Sequence, residues 1–241
     1  MMQSESTSQI DKFDKILQKI DQELNGKEAG IVKINFPAEE LSNLDVREFI
    51  HDSFNAEIIG DNLFIKYNSP LKEYLDHKLT NSLKSQKRAW YTSINGICVI
   101  NNRELRSDVG VWFKRPTFVQ MCQPIINSCP ASNVWIEVFK NTESESNHAL
   151  NNINWIQQNT IGIEFVAITI PDLTPFHSNP NPEMISTPAT GQHTQPTKAP
   201  YVCIWDMNNN EIWYQMEWDH HITLRCGLVI DFNVVLATLT E

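Results

Sequence analysis

The chain has 241 residues, an apolar fraction of 41% and a formal net charge of −10. That much apolar material can form a real core, which excludes wholesale disorder, and the length suits one large domain with appendages. The five cysteines are scattered and never spaced as C-x-x-C, which argues against a disulfide scaffold or a zinc ribbon. The N-terminus is polar and no stretch approaches the length of a membrane span. We therefore expect an intracellular protein, cytoplasmic or nuclear, without a membrane partner.

Basic side chains are concentrated in one part of this acidic chain. Residues 71–115 carry nine Lys and Arg against four Asp and Glu, whereas residues 1–60 carry six against twelve. A local basic excess can bind phosphate groups, although taken alone it is more typical of a solvated helix face.

The first predicted element is an amphipathic helix over residues 9–25, where apolar side chains recur at three- and four-residue spacing. It is either the first helix of the domain or an appended helix through which two copies form a homodimer. A strand over 30–36 follows, and then a short helix over 42–54 with Ser42 as its cap. Two apolar runs around Gly60-Asp61 predict a β-hairpin over 56–67.

The middle of the chain predicts an α/β arrangement. Residues 69–88 place five apolar side chains on one face, and Pro70 suits the first turn of that helix. Three strands, a helix and a fourth strand are then predicted, over 97–100, 109–113, 134–139, 146–158 and 163–170.

The last third divides into a loop and a small β region. Residues 171–200 contain seven prolines among Asn, Thr and Ser, which predicts a long loop. An antiparallel meander over 201–226 and a short helix over 232–239, capped by Asp231, come after it. The expected organisation is therefore a helix over 1–28, a core over 29–170, the Pro-rich loop, and a β extension over 201–241 packed on the core.

Three segments each place one acid among the apolar residues of a predicted strand: Glu57 in AEIIGDNLFI, whose Asp61 is in the turn, Asp108 in RSDVGVWF and Glu137 in NVWIEVFK. A carboxylate is costly to bury unless something cationic lies opposite, although Glu137 could also face water from an edge strand. Its own face of the strand holds Trp135 and Phe139, which is not a plain solvent face. Carboxylates that converge at strand ends bind Mg²⁺ and support metal-assisted hydrolysis of phosphodiesters.

Taken in order, these segments resemble the Uma-type family of proposed restriction endonucleases, within the PD-(D/E)XK nuclease superfamily. The resemblance covers roughly residues 45–170: Glu57 matches the family's "vELidGel" acid, Asp108 its "PDv" strand and Glu137 its "vIEV" strand. Residues 162–165, Gly-Ile-Glu-Phe, resemble its "GVpEYW" motif. The chain departs from the family at the lysine. The usual place has Phe139, the following helix offers Asn151 and Asn152, and Lys140 would need a bulge to reach the face of Glu137.

The resemblance implies a restriction-endonuclease-like mixed central sheet flanked by helices, with a C-terminal antiparallel extension. It also implies a divergent Mg²⁺-dependent endonuclease, with Mn²⁺ as a substitute, in which Glu57, Asp108 and Glu137 hold the metal. Lys140 or His148 would stand in for the lysine, and basic residues of 84–115 would meet the backbone of nucleic acid, DNA in the first place. The missing lysine favours an alternative, an inactive nuclease fold that binds nucleic acid or protein. A third interpretation, an interaction protein that dimerises through the 9–25 helix, predicts that the three acids do not converge.

Overall fold

The computed structural model describes residues 3–27, 30–37, 39–140, 142–170, 201–205, 210–215 and 221–236. In chain order its elements are α1 (Gln3–Leu24), β1 (Gly30–Asn35), α2 (Leu44–Ser53), β2 (Ala56–Ile59), β3 (Asn62–Tyr67), α3 (Pro70–Gln86), β4 (Tyr91–Ile94), β5 (Ile97–Ile100), β6 (Arg103–Arg106), β7 (Val109–Trp112), α4 (Phe118–Cys122), β8 (Val134–Lys140), α5 (Glu143–Asn159), β9 (Glu164–Ile170), β10 (Tyr201–Trp205), β11 (Glu211–Gln215), β12 (His221–Thr223), β13 (Val229–Asp231) and α6 (Phe232–Leu236).

These elements form two compact units, each assembled from separate stretches of chain. Unit 1 takes Met1–Pro70, Asn95–Arg106 and Arg115–Ala131, and unit 2 takes Leu71–Ile94, Ser107–Lys114 and Ser132–Glu241. The predicted boundaries after residue 28 and across 171–200 fall on residues outside the described part and stay predictions.

Unit 1 contains a five-stranded antiparallel sheet in the order β1-β3-β2-β6-β5. The predicted hairpin is β2 and β3, and Gly60 at its turn has φ +61°, which glycine adopts without strain. The apolar face of α1 is used within this unit, since Ile16 and Ile20 are buried in its core with Val46 and Ile50 of α2. Dimerisation through α1 stays a prediction.

The cap of α2 differs from the predicted one. Asn43 caps the helix, since its Oδ1 accepts hydrogen bonds from the backbone N–H groups of Asp45 (2.8 Å) and Val46 (3.4 Å). Ser42, the predicted cap, instead donates to the carbonyl of Glu39. Both residue types favour this position, and the helix starts one residue later than the prediction required.

Unit 2 contains a six-stranded mixed sheet in the order β11-β10-β9-β8-β7-β4. Strands β8 and β9 are parallel and joined by α5, and the neighbouring pairs are antiparallel. The leucine row of α3 packs on one face of this sheet, where Leu75, Leu79 and Leu83 are buried with Val109 of β7 and Ile136 of β8.

The C-terminal part of unit 2 is antiparallel, as predicted, but it is not one meander. Strand β11 pairs with β10, whereas β12 pairs with β13 in a separate two-stranded sheet. Asp231 caps α6 as predicted, accepting a 2.9 Å hydrogen bond from the backbone N–H of Asn233.

The predicted fold class is confirmed: the protein is a mixed α/β fold with helices against its sheets and a small C-terminal antiparallel pair. Sequence reasoning missed β4, β6, α4 and β13. No helix among the described residues has both the length and the apolar character that crossing a membrane requires.

Candidate functional site

Asp108 lies immediately before β7, a strand whose four residues are all buried. Its own side chain is 1% exposed. One carboxylate oxygen, Oδ2, accepts a 2.7 Å hydrogen bond from the backbone N–H of Val138 on β8. The acid at the start of the strand thus binds the neighbouring strand directly. Gly110 follows because a Cβ there would lie 2.7 Å from both Ser107 Oγ and the Trp112 ring.

Glu137 lies in the middle of β8 and is equally buried, at 1% exposure. Its Oε1 accepts a 2.7 Å hydrogen bond from the indole Nε1–H of Trp135, two residues earlier on the same face of the strand. The Trp-Glu-Phe face predicted from sequence is therefore a buried one, on which the tryptophan orients the carboxylate. The edge-strand interpretation, with Glu137 facing water, is excluded.

Asp108 and Glu137 lie on neighbouring segments of the sheet in unit 2, since β7 pairs with β8. Their antiparallel register pairs Val109 with Ile136 and Gly110 with Trp135. The next residues beyond this pairing are Asp108, just before β7, and Glu137, within β8. Two of the three predicted acids thus belong to adjacent segments of unit 2.

A lysine that the sequence did not single out forms an ion pair with Asp108. Lys72, in the first turn of α3, places its Nζ 2.7 Å from Asp108 Oδ1, and both side chains are largely withdrawn from water. Asp76, one turn further along α3, is fully buried as well. A signal was available in the sequence, since Lys72, Asp76 and Thr80 recur every four residues beside the leucine row.

The two predicted substitutes for the family lysine have other surroundings. The register of β8 with β9 is regular from Val134 to Lys140, so alternation puts the side chain of Lys140 on the face opposite to that of Glu137. The backbone N–H of Lys140 donates to Glu145 Oε2 at 2.9 Å. His148 Nε2 lies 3.2 Å from Asn152 Nδ2 on α5.

Glu57, the third predicted ligand, belongs to unit 1. Its Oε1 lies 3.0 Å from Lys66 Nζ and accepts a 3.0 Å hydrogen bond from the backbone N–H of Arg106. The pairing of Glu57 with Phe64 makes Lys66 its diagonal neighbour across the hairpin, within reach of a long side chain. Glu57 thus takes part in a buried ion pair, and its role as a metal ligand stays a prediction.

The same part of unit 1 holds a buried polar network around His51. Arg106 Nη2 donates to the carbonyl of His51 at 2.6 Å and lies 3.2 Å from its Nδ1. His51 Nε2 is 2.7 Å from Glu104 Oε2, and Arg47 forms an ion pair with the other oxygen of Glu104. Because an arginine can only donate, Nδ1 is the acceptor and Nε2–H donates to the glutamate.

Burial dominates the electrostatics of this network. It lowers the pKa of His51 well below 6.5, and the positive charges of Arg106 and Arg47 lower it further. The imidazole is therefore neutral at pH 7. Burial also lowers the pKa of Arg106 to about 10, against the opposing effect of Glu57, so the guanidinium stays protonated. Burial likewise lowers the pKa of Arg47.

Each unit therefore has its own cluster of buried charges. In unit 2, Asp108, Glu137 and Lys72 lie on or against neighbouring strands, and in unit 1 Glu57 pairs with Lys66. Across the described residues, no group of three or more His, Cys, Asp and Glu side chains is arranged to hold a metal ion. Unit 2 thus holds two buried carboxylates and one buried ammonium group.

Comparison with known proteins gives a likeness of structure only. No family model matches the chain, and no curated protein sequence matches it. Among solved structures, it is similar to a candidate nuclease belonging to DUF820 from Anabaena variabilis, with 12% sequence identity and a TM-score of 0.46. The superposition covers 76% of this chain and 90% of that one. DUF820 is the Uma-type family that the sequence motifs resemble.

Proposed function

We propose that the chain is a divergent metal-dependent endonuclease that hydrolyses phosphodiester bonds of nucleic acid, with Asp108 and Glu137 as the metal ligands. One observation supports the proposal: two carboxylates that are each 1% exposed lie in adjacent segments, Asp108 just before β7 and Glu137 on β8, and the Lys72 ammonium is 2.7 Å from Asp108. Two acids and a lysine at the end of a strand pair are suited to hold a cation and to neutralise a phosphate.

The donor set fits Mg²⁺, with Mn²⁺ as a substitute. Magnesium takes oxygen ligands and is often bound by one or two carboxylates, with substrate phosphates and water completing its shell. The metal, when bound, polarises the phosphoryl oxygen and lowers the pKa of a bound water.

The side chains of unit 2 have separable tasks in this proposal. Trp135 orients Glu137 through the indole N–H, and the backbone N–H of Val138 orients Asp108. The ammonium of Lys72 compensates negative charge beside Asp108. In the family that the sequence resembles, a lysine at a different position of the sequence has this task. The basic residues of 84–115 would hold the phosphate backbone.

Plasmid and single-stranded DNA cleavage in Mg²⁺ and Mn²⁺ tests the proposal, with wild type compared with Asp108→Asn and Glu137→Gln. These substitutions keep the size of each side chain, so loss of cutting reports the charge. We expect both to lower cleavage by at least about a hundredfold, because each removes a charged ligand of the metal. Glu73→Gln, an exposed acid on α3, is the matched control and should cut like wild type.

The burial of the site favours the second candidate, an inactive nuclease fold that binds nucleic acid or protein. Asp108 and Glu137 are each 1% exposed, which restricts the access of a substrate to them. Mn²⁺ binding that is lost in Asp108→Asn, without cutting in any protein, would support this candidate. Cutting that persists in both variants would remove the proposed site altogether.

A further inference from the structure

A pair of aromatic rings lies at the edge of the six-stranded sheet, outside the acid pair. The ring centroids of Trp90 and Phe113 are 4.2 Å apart, with 31° between the ring planes. Among the described strands of this sheet β4 is an edge strand, and the register that pairs Tyr91 with Trp112 places Trp90 opposite Phe113. Trp90 packs against the core of unit 2, whereas Phe113 is 39% exposed. A ring is thus presented to solvent on a rigid support.

Three exposed cations accompany these rings. Lys87 and Arg88 lie in the turn that leads into β4, and Lys114 follows Phe113 directly. The turn is closed by a 3.0 Å hydrogen bond from Trp90 N–H to the carbonyl of Lys87, whose Nζ lies 5.9 Å from the Trp90 ring centroid. We call Lys87, Arg88, Trp90, Phe113 and Lys114 the aromatic-basic patch.

The charge of the patch is not cancelled by acids nearby in sequence. From residue 77 to residue 103 the chain carries five Lys and Arg and no Asp or Glu, although its net charge is −10. The nearest acid before Phe113 is Asp108, which is buried and paired with Lys72. The patch therefore combines an exposed ring with a stretch of chain in which cations outnumber acids.

We propose that the aromatic-basic patch binds single-stranded nucleic acid, with a base stacked on Phe113 and phosphates at Lys87, Arg88 and Lys114. Aromatic stacking beside a positive groove is how proteins hold unpaired strands without reading their sequence. A duplex keeps its bases stacked on one another and offers only its phosphates, so the ring favours a single strand. The inference deepens the proposed function, on which it rests for the identity of the substrate class.

Fluorescence anisotropy with a labelled oligothymidylate of about 16 nucleotides, its duplex and the matching oligouridylate tests the inference. The protein is the full chain carrying Asp108→Asn, in EDTA, so that cleavage cannot interfere. We expect the single strands to bind more tightly than the duplex, and Phe113→Ala to weaken that binding about tenfold. Phe113→Leu keeps apolar contact with Trp90 and should weaken binding similarly.

Salt dependence tests the cations independently of the ring. The triple variant Lys87→Gln/Arg88→Gln/Lys114→Gln removes the three positive charges that would contact phosphates. For a single strand, log K should then fall less steeply with log salt, the slope changing by about 2. The triple variant Lys15→Gln/Lys27→Gln/Lys33→Gln, from exposed positions of unit 1, changes the net charge equally and should keep the slope. Phe118→Ala, at a 75% exposed ring on α4, is the control for aromatic exposure.

The outcomes separate this inference from the nuclease function. The inference is overturned if no strand binds, if the duplex binds better, if the patch variants match their controls, or if polyglutamate competes as well as oligothymidylate. Binding that depends on the patch, in a wild-type protein that never cuts, leaves the inference standing and ends the nuclease proposal. If the wild-type protein cuts but its binding does not depend on the patch, the nuclease proposal stands and the inference is overturned.

Discussion

Asp108 shows how a carboxylate can start a buried strand. Removing a charge from water costs several kcal/mol, and a buried ion pair recovers this cost only with good geometry and further hydrogen bonds. Asp108 has both, since one oxygen meets the Lys72 ammonium and the other accepts from the Val138 N–H. The acid therefore fastens α3 to β7 and β8, whatever chemistry it also performs.

Replacing Lys72 by methionine should expose this dependence. Lys72→Met leaves Asp108 buried without its ammonium partner, so we expect the free energy of unfolding to fall by about 3 kcal/mol. The double variant Lys72→Met/Asp108→Asn should regain most of that loss, because the amide oxygen can still accept from Val138. Urea unfolding of the two single variants and the double variant gives the coupling energy directly.

Lys78→Met is the control for this cycle, because Lys78 lies on the same helix and is only half-buried. Its ammonium lies over the Tyr74 ring, 5.2 Å from the centroid, so a loss below about 1 kcal/mol is expected. Equal losses at the two lysines, or strictly additive effects in the double variant, would mean that the Lys72–Asp108 pair does not stabilise the fold.

Sequence reasoning found Asp108 and Glu137 but not the lysine that meets them. A carboxylate inside a run of apolar residues departs from the local pattern, and such a departure can be read from the sequence alone. The burial of Lys72 is decided by a partner 36 residues further along the chain, and no local pattern reports it. For Glu57 the partner was local: Lys66 is its diagonal neighbour in the hairpin, and sequence reasoning did not consider it.

The periodicity of apolar residues predicted the helices and strands that bury an apolar face. The helices α3 and α5 and the strands β7 to β9 have apolar faces, and each was found within a few residues of its ends. Strand β6 was missed because RELR has three charged residues in four, of which Glu104 and Arg106 are buried by pairing in the network around His51. Strand β4, YTSI, has only four residues and a small polar residue on each face, Thr92 on one and Ser93 on the other, so alternation gives no clear signal.

The start of α2 offers a test of capping with adjacent residues. Asn43→Ala removes the acceptor of the Asp45 and Val46 N–H groups, so the unfolding free energy should fall by about 1 kcal/mol. Ser42→Ala is the matched control and should cost less than about 0.5 kcal/mol, since Ser42 is bound only to the Glu39 carbonyl. Chemical unfolding followed by circular dichroism measures both changes in unfolding free energy. A larger loss of stability in Ser42→Ala than in Asn43→Ala would mean that Ser42, the predicted residue, is the cap.

For the molecule as a whole, two electrostatic effects act in opposite directions as the pH falls. The net charge is −10 at pH 7 and the isoelectric point is near 5.2, so mild acid reduces repulsion between like charges and favours the folded chain. The neutral, buried His51 opposes this trend. Its pKa is lowered in the folded protein, so below pH 6.5 the unfolded chain takes up a proton that the folded chain refuses.

The contribution of His51 to stability is therefore fully present above pH 6.5 and is lost as the pH falls below that value. The loss approaches about 1.4 kcal/mol per pH unit for one proton. In His51→Gln, whose amide can still accept from Arg106 and donate to Glu104, we expect a correspondingly shallower fall in unfolding free energy between pH 6.5 and 5. Urea unfolding across this range measures both slopes.

The exposed His77 provides the control, because His77→Gln removes a histidine on the outer side of α3 and should keep the wild-type slope. The test compares how steeply the unfolding free energy falls with pH in His51→Gln and in wild type. Carboxylates contribute equally to both slopes, and a loss of stability that does not depend on pH leaves the slope unchanged. Parallel profiles for the two proteins would show that His51 accepts its proton in the folded state. The ion pair that it could then form with Glu104, 2.7 Å away, would outweigh the burial of the charge and the two neighbouring arginines.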